Sequence, residues 1–222
     1  MALIVCIETA TKSCSVALSK DGHLVAVKEE VSEQYSHSEQ LTVFIEQLLQ
    51  KERLNVSDLD AIAVSSGPGS YTGLRIGVST AKGLCYASDV PLIAVSTLSA
   101  MAQAMKDKYH ETQLCPMLDA RRMEVYCALY SKSHASPVVA KIIDQDSFAE
   151  ELAQGPLLFF GDGADKCQDM LTHTNAHFEL GVYPSATNMI PLAQDKFQNQ
   201  DFEDVAYFEP FYLKDFVSAV KK

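Results

Sequence analysis

The sequence predicts an α/β fold laid down twice. Three short strands, then helix, strand, helix, strand and helix, fill the first hundred residues, and from about Gln113 the order begins again. A polar stretch over 104–112 separates the two runs, as a linker should. The expected architecture is two duplicated domains, each a mixed sheet flanked by helices, over residues 1–104 and 105–205.

Ala2 to Ile7 is a continuous apolar run, the pattern of a strand covered on both faces. Thr9 to Ser13 is a small polar turn. Cys14 to Ser19 alternates, Lys20-Asp21-Gly22 signals a tight hairpin, and Leu24 to Val27 restarts the alternation. A helix opens at Ser38, and Leu41, Phe44, Ile45, Leu48 and Leu49 give it one apolar stripe. Leu59 to Ser66 is a second buried strand that runs into Gly67–Gly73, and a helix follows to about Ala87. Pro91 to Val95 is a strand and Ser96 to about Lys106 a helix.

In the second run Leu114–Leu118 and Glu124–Tyr130 flank a turn at Asp119-Ala120-Arg121-Arg122, and Val138–Ile143 is a third strand. Ser147 with Glu150 reads as the capping box of a helix through Leu152. Leu157–Phe160 is a strand entering Gly161-Asp162-Gly163, with helices expected over Asp165–Leu171 and about Thr187–Gln198. Pro210 to Val217 is too apolar to stay in solvent, so residues 206–222 are expected to pack back on the first domain.

A hydrophobic fraction of 47% supports a real core and argues against disorder. The net charge is −11, with 7 basic and 11 acidic side chains in residues 1–103 and 11 and 18 in the remainder. Acidic surfaces on both halves argue against tight nucleic-acid binding by this chain alone, and a local basic patch would have to sit at Arg121 and Arg122. Cys6, Cys14, Cys85, Cys115, Cys127 and Cys167 show no C-x-x-C and no zinc spacing, and are expected to be buried reduced thiols. His23, His37, His110, His134, His173 and His177 are expected at the surface. His173 and His177 stand four apart, but no helical frame aligns them. No metal site is therefore expected. The N-terminus has no basic segment before its apolar run, and no stretch of about 18 apolar residues occurs. A cytoplasmic chain with no membrane contact is expected.

Two stretches carry chemistry. Glu8 and Thr9 sit on a strand–turn–strand hairpin, where a carboxylate and turn amides suit a hydrated metal and a phosphate, although ordinary turn chemistry uses the same residues. Gly67 and Gly69 lie between a strand and a helix N-terminus, a place that attracts anions. The spacing is not that of a P-loop: five residues separate Gly67 from Gly73, and no Lys-Ser/Thr pair follows. Gly73, Gly77 and Ala81 recur at four-residue spacing, which also suits close helix packing, and packing is the favoured reading. With Gly161 and Gly163, these residues make up a candidate residual nucleotide loop.

The stretches 6–18, 65–87 and 90–102 resemble the TsaB (YeaZ) family, a branch of the actin/Hsp70/sugar-kinase superfamily. Asp119–Arg122, Gly161–Ala164 and Glu209–Leu213 carry the likeness into the second half. The resemblance implies a non-catalytic subunit without catalytic residues of its own. It would pair with the related catalytic subunit TsaD and, with the ATPase TsaE, support threonylcarbamoyl transfer from threonylcarbamoyl-adenylate to the tRNA adenosine beside the anticodon. It implies no cofactor on this subunit, with ATP and a divalent metal handled by TsaD and TsaE, and tRNA met only through the complex. TsaD carries two metal-holding histidines after the matching strand, where this chain has Thr97 and Met101, and a hydroxyl and a thioether cannot replace two imidazoles. TsaD's second-domain phosphate loop is likewise replaced by Asp119–Arg122.

The family's helix pair is implied to meet TsaD, or a second copy when TsaD is absent. Leu41, Phe44, Ile45, Leu48, Gly73, Leu74, Gly77, Val78, Ala81 and Cys85 are therefore the expected interface. Arg at Gly77 or Ala81 is expected to leave a folded monomer that no longer binds TsaD. The competing readings are a standalone phosphotransferase or ATPase of the sugar-kinase type, and a metallopeptidase.

Overall fold

The computed structural model describes residues 2–32, 37–106, 108–110, 112–132 and 134–214. The first sheet is built on β1 (Leu3–Glu8), antiparallel to β2 (Ser13–Lys20). β3 (His23–Val31) lies outside β2, while β4 (Ala61–Gly67) runs parallel to β1 and β5 (Leu92–Ser96) parallel to β4, in the order β3-β2-β1-β4-β5. Asp21 and Gly22 turn the β2–β3 hairpin at φ 52° and 78°, a left-handed pair whose twist matches the flanking strands.

Alternate residues of β1 and β4 face opposite sides, which is why both read as unbroken apolar runs. Val5, Ile7, Ile62 and Val64 share a core with Leu41, Ile45 and Leu48 of α1 (His37–Lys51) and with Val78 and Ala81 of α2 (Tyr71–Ser88). Ile4, Cys6, Ala61 and Ala63 face the other way, against Ala100 of α3 (Thr97–Lys106).

The second sheet comprises β6 (Gln113–Asp119), β7 (Glu124–Cys127), β8 (Val139–Ile142), β9 (Leu157–Phe160) and β10 (Ala176–Glu179), ordered β10-β9-β6-β7-β8. A three-strand meander with two parallel strands on the other side of its first strand repeats the order of the first sheet, so the duplication is visible in the topology. α3 lies between the sheets. Its Leu98, Met101, Ala102 and Met105 pack with Leu114, Leu118, Leu158 and Phe160, and the hydroxyls of Ser99 and Tyr130 meet at 3.1 Å.

Several expectations are corrected. The capping box does not form: Phe148, at φ 63°, stands before α4 (Ala149–Gln154), and the Ser147 hydroxyl donates to Asp144 Oδ1 at 2.7 Å. Asp165–Leu171 holds a single 3-10 turn at Asp165–Cys167, because burying Cys167 and Leu171 beneath the sheet needs no longer helix. β7 ends at Cys127, and Tyr130 makes an isolated bridge to Leu114. α5 (Ala186–Gln198), placed by the sequence with the second domain, packs instead on the first sheet. Its Ala186, Met189, Ile190 and Ala193 cover the alanine-lined face of β1 and β4, which would otherwise be left largely bare.

The chain then returns across α2. Glu203 bridges Leu92, Lys82 Nζ donates to the carbonyls of Ala206 and Phe208 at 3.0 and 3.1 Å, and the Phe211 amide donates to Ser66 O at 2.7 Å. Arg75 lies over the Tyr71 ring at 4.0 Å and donates to the Tyr212 hydroxyl at 3.3 Å. Lys214 pairs with Glu124, so this strap ends on the second half. Residues 215–222 of the expected tail lie outside the described residues.

Candidate functional site

Glu8 ends β1 and is fully buried. Its Oε1 accepts from the Ala10 amide at 2.6 Å, while Oε2 makes no hydrogen bond among the described residues. Burial pushes this carboxyl up to about 7, against the opposing pull of the Ala10 amide, the Ser65 hydroxyl and the Thr9 amide. Thr9 donates through Oγ1 to Gly73 O at 2.8 Å, and the Ser70 amide donates to Ala10 O at 2.6 Å. The β1–β2 turn thus lies directly on the N-terminus of α2. A Cβ at Gly69 would stand 2.5 Å from Ala10 O, one at Gly73 2.1 Å from Thr9 O, and one at Gly77 2.2 Å from Thr9 Oγ1. The glycines admit the chain's own backbone at Thr9 and Ala10. His37 belongs to the same knot, with Nε2 2.7 Å from Thr11 O. This corrects its expected place at the surface: it is buried, and burial lowers its pKa.

The second half repeats the device. Gly67 leaves β4 at φ 108° and Gly161 leaves β9 at φ 106°, in the left-handed region that a side chain rarely adopts. A Cβ at Gly161 would lie 2.3 Å from Met117 O, and one at Gly163 2.7 Å from the Leu118 carbonyl carbon. Between them Asp162 accepts from the Asp119 amide at 3.2 Å, and burial pushes its carboxyl up to about 6. The structure therefore gathers Glu8, Thr9 and Gly69 at the head of α2, with Gly67 held against the strap at Phe211 O, and Gly161 and Gly163 at the β6–β7 hairpin.

The expected interface needs a larger correction. Leu41, Ile45, Leu48, Gly73, Leu74, Gly77, Val78, Ala81 and Cys85 are all buried within the chain, and Phe44 is half-buried against the same core. Their stripes serve the sheet and the Thr9 turn, so Arg at Gly77 or Ala81 would break the fold rather than a partner contact. The opposite faces of the two helices are the free ones. A groove of about 320 Å³ runs between α1 and α2, lined by Ile45, Leu49, Leu54, Val56 and Leu84 with Thr42, Glu46 and Thr80 at its polar edge. Farther along α2, Gly83 is exposed with open space around its Cα, and Tyr86 is 86% exposed. The sequence signal for this face is one large aromatic amid small residues on an otherwise polar helix side.

Residues 29–218 match the family model described as TsaD, tRNA N6-adenosine threonylcarbamoyltransferase. An Escherichia coli K12 protein described as tRNA threonylcarbamoyladenosine biosynthesis protein TsaB is 32% identical over 224 residues, spanning 97% of this chain and 96% of its own. The chain belongs to the TsaB family. The Haemophilus influenzae TsaB is 26% identical over 97% of this chain and 94% of its own length. YeaZ from Pseudomonas aeruginosa shares the architecture of this TsaB-family chain at a TM-score of 0.83 and 25% identity, over 96% of this chain and 100% of that one. A Listeria monocytogenes protein described as an N-acetylmannosamine kinase shares the fold alone, at a TM-score of 0.50 and 9% identity over 90% and 99% of the two chains. The actin-like, sugar-kinase-type fold of the TsaB-family chain is thereby shown.

The residues at Thr97 and Met101 do not suit a bound metal. Thr97 and Met101 of the TsaB-family chain are fully buried on α3, and the Met101 methyl would stand 2.7 Å from a Cβ at Gly161. Thioether and hydroxyl are poor donors for a divalent first-row ion, and among the described residues no three His, Cys, Asp or Glu side chains cluster as a metal site. All six thiols are free and buried. Among the described residues no helix is long and apolar enough to cross a membrane.

Proposed function

We propose that this chain is the non-catalytic subunit that pairs with TsaD. With TsaE, the pair supports transfer of threonylcarbamoyl from threonylcarbamoyl-adenylate to the tRNA adenosine next to the anticodon, in the cytoplasm. ATP and a divalent metal act through TsaD and TsaE, and no cofactor belongs to this subunit. The observation that carries the reading is the filling of the place between the halves. Where the resemblance puts TsaD's metal-holding histidines, Thr97 and Met101 are buried, Met101 within an apolar cluster, and both glycine turns lie against the chain's own backbone. A protein that keeps the frame and fills the centre acts through its surface. The groove between α1 and α2, continued by Gly83 and Tyr86, supports docking of a helical partner there, TsaD or a second copy.

The test is co-purification with TsaD, and transfer activity measured with and without this chain. Gly83→Arg is the informative variant, since open space around Gly83 lets the chain fold with the arginine in place. A charge buried unpaired at an interface costs several kcal/mol, so a native circular dichroism spectrum with loss of TsaD binding is expected. Transfer by this chain alone, or undiminished TsaD binding by Gly83→Arg, would overturn the proposal.

A further inference from the structure

We propose that the cavity at the start of the first sheet binds a linear aliphatic polyamine. It is a hollow of about 580 Å³ lying where β1, β4 and β5 begin, and the C-terminal end of α5 lines one side of it. Glu8 and Gly67 stand at the opposite ends of the same strands, so the hollow is separate from the candidate nucleotide loop.

The lining carries two carboxylates, Asp21 and Asp60, and no lysine, arginine or histidine. Asp60 enters no ion pair among the described residues, and Lys196, the one cation of α5, is turned to Asp201. The negative end of the α5 dipole adds to the same rim. Two amides at the head of β1 hold the carboxylates in place. Ala2 donates to Asp21 Oδ1 and Leu3 to Asp60 Oδ2, each at 2.7 Å. Asp21 turns the hairpin on one side of β1 and Asp60 leads into β4 on the other, so the carboxylates flank the strand. Because their donors are neighbours in the chain, the two accepting oxygens lie no more than about 9 Å apart.

Such a lining calls for a cation, and the remaining walls select its kind. Among the described residues no three His, Cys, Asp or Glu side chains gather to hold a metal ion. Phe197 and Phe202 form the aromatic part of the wall, with ring centroids 5.9 Å apart and Phe202 38% exposed. Aromatic faces attract alkylammonium groups and pack against the methylenes beside them. Gln194 adds an acceptor, since its buried Oε1 makes no hydrogen bond among the described residues. An ammonium group, which only donates, would satisfy it. Two carboxylates, an orphaned amide oxygen and a pair of rings, spread over one hollow, match several ammonium groups joined by methylenes better than one lysine tip.

The experiment titrates spermidine and n-butylamine into the full chain by calorimetry at about 0.15 M salt. One saturable spermidine site is expected, with n-butylamine about fivefold weaker because it brings a single charge. Asp60→Asn keeps an oxygen for the Leu3 amide, so it should hold the native circular dichroism spectrum and bind spermidine about tenfold more weakly. Phe202→Leu keeps the apolar contact, loses the ring face and should weaken binding about two- to fivefold. Gln198→Glu, at an exposed position on the rim, should tighten it about twofold or more. Asp169→Asn removes an exposed charge from the second half and should change little, which separates this hollow from the general attraction of an acidic chain. No saturable binding by the wild type, or an equal loss in Asp169→Asn, would overturn the proposal. So would Asp60→Asn and Gln198→Glu both without effect. Binding of n-butylamine as tight as that of spermidine would also overturn it, assigning the hollow to a single ammonium such as the lysine of a partner. Because the titration needs neither TsaD nor tRNA, its failure is distinct from a failure of the scaffold reading.

Discussion

Glu8→Gln isolates the effect of one buried carboxyl. The substitution keeps an oxygen to accept from the Ala10 amide and removes the ionisation. In the unfolded chain this carboxyl loses its proton near pH 4.5, whereas burial in the folded chain holds it until about pH 7. Between those values the folded state binds more protons, so the wild type loses stability as pH rises through that window. At ~1.36 kcal/mol per pKa unit, the wild type should lose about 2.5 kcal/mol relative to Glu8→Gln between pH 5 and pH 8. For a chain of this size that is roughly 5–10 °C in melting temperature. Thermal melts of both proteins at pH 5, 6, 7 and 8 measure it, and taking the difference cancels His37 and Asp162, which both proteins share. A wild-type-minus-variant difference that stays flat from pH 5 to 8 would refute the reasoning.

Further outcomes follow from single contacts. Gly77→Ala and Gly83→Ala make the same change on one helix and should act in opposite directions. The first pushes a methyl to 2.2 Å from Thr9 Oγ1 and should cost about 1–3 kcal/mol, while the second enters open space and should add about 0.5–1 kcal/mol in denaturant melts. Lys166→Met removes charge-assisted bonds to Asp119, Arg122 O and Glu124 O and should cost about 2–3 kcal/mol, read by urea unfolding. Tyr212→Ala releases the stack on Arg75 and Tyr71 and should make the strap cleave faster in limited proteolysis, with the melting temperature lowered by only a few degrees.

The parts of this fold legible in sequence are those written in local pattern. The runs at β1 and β4, the stripe of α1 and the Asp21-Gly22 turn each report the environment of their own backbone. What pattern cannot state is which partner a stripe meets. The face of Gly73, Gly77 and Ala81 was readable as a close-packing face, but whether Thr9 or another protein lies on it depends on contacts sixty residues away. α5 shows the same limit, because an amphipathic helix does not name its sheet. His37 read as polar and lies buried because its ring meets Thr11 O, which belongs to a distant turn. The free face with Gly83 and Tyr86 becomes visible only after the buried side of α2 has been assigned.

The placement of α5 has a consequence in time. The first sheet's strands leave the ribosome early, yet the helix that covers one of its faces is encoded about ninety residues after β5. At a synthesis rate of roughly 5–20 residues per second, the face formed by Ile4, Cys6, Ala61 and Ala63 waits about 5–20 s for its cover. Throughout that interval the nascent half presents a sticky apolar surface, a natural client for a chaperone stationed at the exit tunnel. The chain's first half begins before its second and is finished after it.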